Sequence, residues 1–274
     1  MTLAPALRCL QSLAWPLLVA SAVLVLPGCA SQGAASGELK ERSTESDQTD
    51  ADRRARVRLE LAGAYFARGQ YDTALDEVKL SLAASPNQSA AYSLRGLIYA
   101  SLGDDALAED NFRRALQINR SDADAMHNYG WYLCQRQRYA DAAAQFQQAL
   151  ATPQYRDASR TWLARGICQA RAGQLAEAET SMMRSYELDP ANPSTAVNLS
   201  DVLLRRGEFT RARFYIGRVN ADPATTNAQS LWLAARIEYK LGNRGGARDL
   251  GEQMRSRFPD APEVRLLDAG RFDD

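Results

Sequence analysis

The chain has 274 residues with 33 basic and 33 acidic side chains, so its formal net charge is zero. This balance gives no argument for a nucleic-acid partner, whose phosphates usually demand a basic face. One histidine and four cysteines leave little material for a metal site or a nucleophile–histidine pair. With no phosphate-binding loop and no metal-ligand spacing, the chain reads as a protein-binding molecule. It is expected to be no enzyme and to need no cofactor, metal or small-molecule substrate.

Residues 1–28 read as a signal peptide to be set aside before the fold is considered. Arg8 is their only charge, ahead of an apolar run from Leu13 to Leu26. That run of about 14 residues is shorter than the ~20 needed to span a membrane. Leu26-Pro27-Gly28-Cys29 resembles a bacterial lipobox, although Pro27 is unusual in one, and the resemblance implies acylation of Cys29. The competing reading is a plain secretory signal with an incidental cysteine. Ala30 stands where an acidic residue would retain a lipoprotein in the inner membrane. The implied location is therefore the periplasmic face of the outer membrane, held by the lipid. Residues 29–54 are the lipidated cysteine and a linker. From Ala30 to Asp52, Leu39 is the only large apolar residue, so the segment is expected to be a flexible tether with a reach of about 25 Å.

Beyond the linker the chain repeats itself. Gly96, Gly130 and Gly166 recur at intervals of 34 and 36 residues, and Ala74, Ala108, Ala142, Ala178 and Ala212 at 34, 34, 36 and 34. Four residues after each alanine stands a large apolar residue: Val78, Phe112, Phe146, Met182 and Ile216. This is the tetratricopeptide-repeat pattern. Small residues let two amphipathic helices approach, and the large residue fills the space beside them. Gly69, Gly103, Gly173, Gly207 and Gly242 mark the turn inside a pair, and Pro86, Pro153, Pro190, Pro223 and Pro259 interrupt the second helices. The expected fold is all-α, a right-handed superhelix of about six helix-turn-helix repeats. Phasing places them at 55–88, 89–122, 123–158, 159–192, 193–227 and 228–261, with a tail at 262–274. The sixth is degenerate, with Gly251 where the large residue belongs.

In such an array the first helix of each pair lines a concave groove. Its second, fifth, ninth, twelfth and thirteenth positions offer Leu59, Phe66, Leu97, His127, Trp131 and Cys134, then Leu163, Ile167, Val197 and Leu204, and finally Trp232, Arg236 and Tyr239. An apolar strand or helix of a partner would dock there, with Leu97, Trp131 and Ile167 at the centre. The competing reading is that several of these only complete helix packing. A clamp for a terminal carboxylate would use Asn128 and Asn198, but they lie two repeats apart and the accompanying lysines are missing. His127 is expected in the groove or on the surface. The pairs Asp104-Asp105 and Glu109-Asp110 are expected to be solvated. Cys134 and Cys168, on consecutive first helices, would form a disulfide in an oxidising periplasm; the alternative is two small buried hydrophobes.

The stretch Asn128-Tyr-Gly-Trp-Tyr-Leu-Cys134 continues through Tyr139-Ala-Asp-Ala142 to Phe146-Gln-Gln-Ala-Leu-Ala-Thr-Pro-Gln-Tyr155. It resembles the type IV pilus biogenesis and stability lipoproteins, the PilF/PilW family, with their Asn-Tyr-Gly-x-Phe-Leu-Cys motif and a two-residue insertion. Tyr132 replaces the usual Phe and Thr152 an acidic residue. The resemblance implies a pilotin that binds the pilus secretin subunit, with other pilus assembly proteins as further partners. It would promote the secretin's localisation and multimerisation in the outer membrane. The alternative is a repeat lipoprotein serving as scaffold or adaptor for other envelope machinery, such as cell-wall synthesis or a protease.

Overall fold

A computed structural model describes residues 49–272. The signal peptide, Cys29 and the linker up to residue 48 lie outside them. The described residues form thirteen helices and no strand. Six pairs follow one another: α1 (Asp50–Ala67) with α2 (Tyr71–Ala84), α3 (Ser89–Leu102) with α4 (Asp105–Ile118), and α5 (Ala123–Gln135) with α6 (Tyr139–Ala151). Then come α7 (Ala158–Arg171) with α8 (Leu175–Leu188), α9 (Pro193–Arg205) with α10 (Phe209–Asn220), and α11 (Ala228–Lys240) with α12 (Arg244–Arg257). A short α13 (Pro262–Asp268) ends the array.

Local chemistry sets the helix ends. Asp104, Asp122 and Asn192 cap α4, α5 and α9 by accepting backbone N–H bonds. Thr49–Asp52 and Asn227–Ser230 form reciprocal capping boxes on α1 and α11. Five of the six intra-pair turns carry a glycine at positive φ. The turn between α5 and α6 does not: Gln137 holds the left-handed conformation there, at φ 60°. A left-handed backbone brings the Cβ of an L-residue close to the following carbonyl oxygen, so this turn carries a strain of about 1 kcal/mol.

Within a pair the small residue and the large one meet directly. A Cβ on Gly96 would lie 3.0 Å from the Phe112 ring, on Gly130 2.9 Å from the Phe146 ring, and on Gly166 2.6 Å from Met182 Cγ. Phe112, Phe146 and Met182 are fully buried as a result, each contributing about 1.5–3 kcal/mol through the apolar surface removed from water. The sixth pair solves the same problem differently. A Cβ on Gly251 would lie 2.8 Å from Leu267, so α13 supplies from outside the pair the side chain that α12 lacks. The tail is thus a helix that closes the apolar end of the stack.

The backbones of first helices approach one another from pair to pair (α1–α3, α3–α5, α5–α7, α7–α9, α9–α11), whereas those of second helices stay farther apart and meet through long side chains, as Tyr186 of α8 and Tyr215 of α10 do. The repeat array therefore bends, with the odd-numbered helices on its inner side.

Candidate functional site

The inner face is built from side chains that α1, α3, α5, α7, α9 and α11 do not spend on packing within their own pairs. Leu59 and Phe66 rest half-buried on the core of the first pairs. Leu97 and Trp131 rest in the same way on the core around Phe112, Tyr132 and Phe146. Leu163, Ile167 and Val197 continue the half-buried face along α7 and α9. The Arg171 guanidinium lies 5.2 Å from the Trp131 ring centroid, which fixes the indole at the centre of the face.

Between α5 and α7, Cys134 and Cys168 are disulfide-bonded, with Cα atoms 5.7 Å apart. Both are buried, so the bond staples two pairs from inside and leaves no thiol in the groove.

Besides Cys134, three predicted groove residues are largely withdrawn from solvent, and of these Trp232 still borders a depression of the inner face. His127 is 7% exposed, with Nδ1 2.8 Å from Thr161 Oγ1 and its ring edge-on to Phe146. Tyr155 O–H reaches the same Thr161 oxygen at 2.9 Å, and Arg160 pairs with Asp124 at 2.9 Å nearby. His127 thus fills the seam between α5 and α7. Burial, reinforced by the Arg160 charge, lowers its pKa to about 4. Leu204, 6% exposed, is part of the core around Val202 and Ile216. Trp232, 7% exposed, is covered by α13 and the residues after it. Arg236 and Tyr239 are also engaged by the tail: Arg236 Nε donates to the Phe272 carbonyl at 3.4 Å, and the Phe272 ring stacks on Tyr239 at 4.4 Å.

The two asparagines are committed within the chain. Asn128 Nδ2 donates to Ser93 Oγ at 3.1 Å and Asn198 Nδ2 to the Ser194 carbonyl at 2.8 Å. Two of the carboxylates expected to be solvated are also paired. Glu109 accepts bonds from Tyr129 O–H at 2.8 Å and Arg138 at 2.9 Å, and Asp105 from Arg136 at 2.6 Å. Burial alone would raise the Glu109 pKa, but Arg138, Tyr129 and Arg113 together hold it below the ordinary range. Tyr129 and Tyr132 of the 128–134 motif also pack on Phe112 at 5.3 and 5.4 Å. Most of that motif therefore builds the joint between pairs.

The inner face holds open depressions. One of about 520 Å³ lies between α9, α11 and α13, bordered by Val197, Asn198, Asp201, Trp232, Arg236 and Leu266. Another of about 450 Å³ lies between α3 and α5, bordered by Leu94, Leu97, Asp124 and Asn128. A smaller one of about 190 Å³ joins Ile167 and Arg171 to Asp201 and Arg205. Asp201, Arg171 and Arg205 were missed by a reading that looked for apolar groove residues. The positional rule itself marks all three, Asp201 at the ninth position of its repeat and Arg171 and Arg205 at the thirteenth of theirs. Such a surface offers apolar footholds between a few fixed charges, suited to a polypeptide lying along it.

The tetratricopeptide-repeat family model matches residues 59–124 and 129–193. The chain is 26% identical over 244 residues to the type IV pilus assembly protein PilF of Pseudomonas aeruginosa, covering 89% of this chain and 94% of that protein. The crystal structure of PilW, described as a widely conserved type IV pilus biogenesis factor, superposes with a TM-score of 0.71 at 30% identity over 78% of this chain and 97% of PilW. A structure of P. aeruginosa PilF has the same fold, with a TM-score of 0.70 at 24% identity over 81% of this chain and all of the other. With this repeat architecture, and with PilW matched along nearly its whole length, the chain belongs to the PilF/PilW family of type IV pilus biogenesis tetratricopeptide-repeat proteins.

Proposed function

We propose that this chain is a non-catalytic pilotin. It binds the secretin subunit of the type IV pilus through its inner face while acyl chains on Cys29 hold it to the outer membrane. The observation that carries the reading is the run of half-buried apolar side chains Leu97, Trp131, Leu163, Ile167 and Val197 along consecutive first helices in a member of a pilus-biogenesis family. A secretin monomer must keep apolar segments away from water until the ring assembles, and a long inner face can cover such a segment without enclosing it. Each buried CH₂ of the anchor contributes about 0.8 kcal/mol, so two or more chains deliver the complex to the bilayer.

The groove is tested by pull-down of the secretin with Trp131→Ala and with Leu97→Asp, each checked by circular dichroism for an intact helical fold. Loss of capture supports the groove; undiminished capture by both variants removes it. The anchor is tested by Cys29→Ser, which should leave the secretin monomeric or mislocalised. Unchanged outer-membrane multimers would refute anchoring as part of the function.

A further inference from the structure

At the last pair the inner face is occupied by the chain itself. α13 ends in a left-handed turn at Gly270 (φ 66°), which returns the backbone to α11. Phe272 then stacks parallel on Tyr239, with centroids 4.4 Å apart, and lies 5.2 Å from Trp232. The Arg244 guanidinium lies 3.4 Å from the Tyr239 ring centroid, and Arg236 Nε donates to the Phe272 carbonyl. Two aromatic rings, a guanidinium on one of them and a donor for the main-chain carbonyl together read an aromatic residue and its backbone. Trp232 and Arg236 also border the open depression of about 520 Å³, so a polypeptide lying between α9 and α11 runs directly into this site.

We infer that Trp232, Arg236, Tyr239 and Arg244 form a recognition site for an aromatic residue in an extended peptide segment of a partner, and that Phe272 is its intramolecular occupant. The attachment of Phe272 is of the kind that exchanges. Its N–H bonds to Gly270 O and the Arg271 N–H to Leu266 O, both within the tail itself. Phe272 itself is joined to α11 by the bond from Arg236 to its carbonyl and by its ring contacts. α13 is held separately, by Leu267 against Gly251 and by Val264 in the core beneath Trp232. Phe272 can therefore leave while the cap stays, and an incoming aromatic side chain restores the contacts that were lost. A tethered competitor lowers the apparent affinity for an outside ligand by the fraction of time it fills the site. The inference stands whether or not the partner is the secretin.

The test uses the mature full chain and a synthetic peptide copying its residues 266–274, with a second peptide in which the Phe is Ala. Binding is measured by calorimetry and by tryptophan fluorescence. Phe272→Ala should bind the Phe peptide about tenfold more tightly than the parent chain does, and the Ala peptide no better than the parent. Tyr239→Ala added to Phe272→Ala should abolish the gain. The idea is overturned if Phe272→Ala, with unchanged circular dichroism, binds the Phe peptide no better than the parent, or binds both peptides equally. It is also overturned if sedimentation shows the parent chain dimerising through exchanged tails, since a second copy would then be the occupant.

Discussion

Reducing the Cys134–Cys168 bond should destabilise the array without changing its fold. The bonded residues are 34 apart in sequence, and cross-linking a loop of that length removes about 3.8 kcal/mol of conformational freedom from the unfolded chain in the chain-entropy treatment. The described residues number roughly 220, and at about 2.1 cal/mol/K each this corresponds to a fall in melting temperature of roughly 8 °C. Both sulfurs are buried, so reductant should act only on the opened chain, and the reduced thiols should remain as small apolar groups in the same seam. The assay is thermal and urea unfolding of oxidised and reduced protein, monitored by circular dichroism. Cys134→Ala/Cys168→Ala should melt lower still, because it also deletes two buried sulfurs. A reduced chain melting within about 1 °C of the oxidised one would refute the reasoning. The joint between the third and fourth pairs would then be held without the cross-link.

Gln137→Gly should raise stability by up to about 1 kcal/mol, seen as a higher urea midpoint, because it relieves a left-handed backbone at φ 60°. Gly130→Val should lower stability by at least about 2 kcal/mol in the same assay, since even a Cβ there would lie 2.9 Å from Phe146 and 3.3 Å from the Ala142 carbonyl. His127 is held neutral in the folded chain, with its pKa depressed from 6.5 to about 4 by burial and by Arg160. The unfolded chain therefore binds the extra proton first as pH falls. The stability tied to this group is present above pH 6.5 and declines by up to about 3 kcal/mol as pH drops to 4. His127→Gln should flatten that part of the pH–stability curve, and an unchanged slope would show that another group is responsible.

The inner face shows where reading by position succeeds and where it stops. Leu97, Trp131, Ile167 and Val197 follow from their spacing, because the direction of a side chain on a helix is a local matter. His127, Leu204 and Trp232 occupy equivalent places, yet Thr161, the core around Ile216 and the tail respectively bury them. The turn at Gln137 shows the same boundary: no glycine marks it, and the helices on either side impose the conformation. Glu109 looked solvated because its partners, Tyr129 and Arg138, lie 20 and 29 residues away.

What the amino-acid sequence determined by itself was the repeat and the helix pairs. The small residue, the large residue and the turn of each pair lie within one period, so short-range packing and backbone chemistry suffice to reveal them. Tertiary structure decided which groove positions stay open, because that depends on the neighbouring pair. It also decided how the array ends, where Leu267 fills the space left by Gly251 and Phe272 returns to Tyr239. Those contacts depend on how the tail turns in space, and the repeat period carries no record of them.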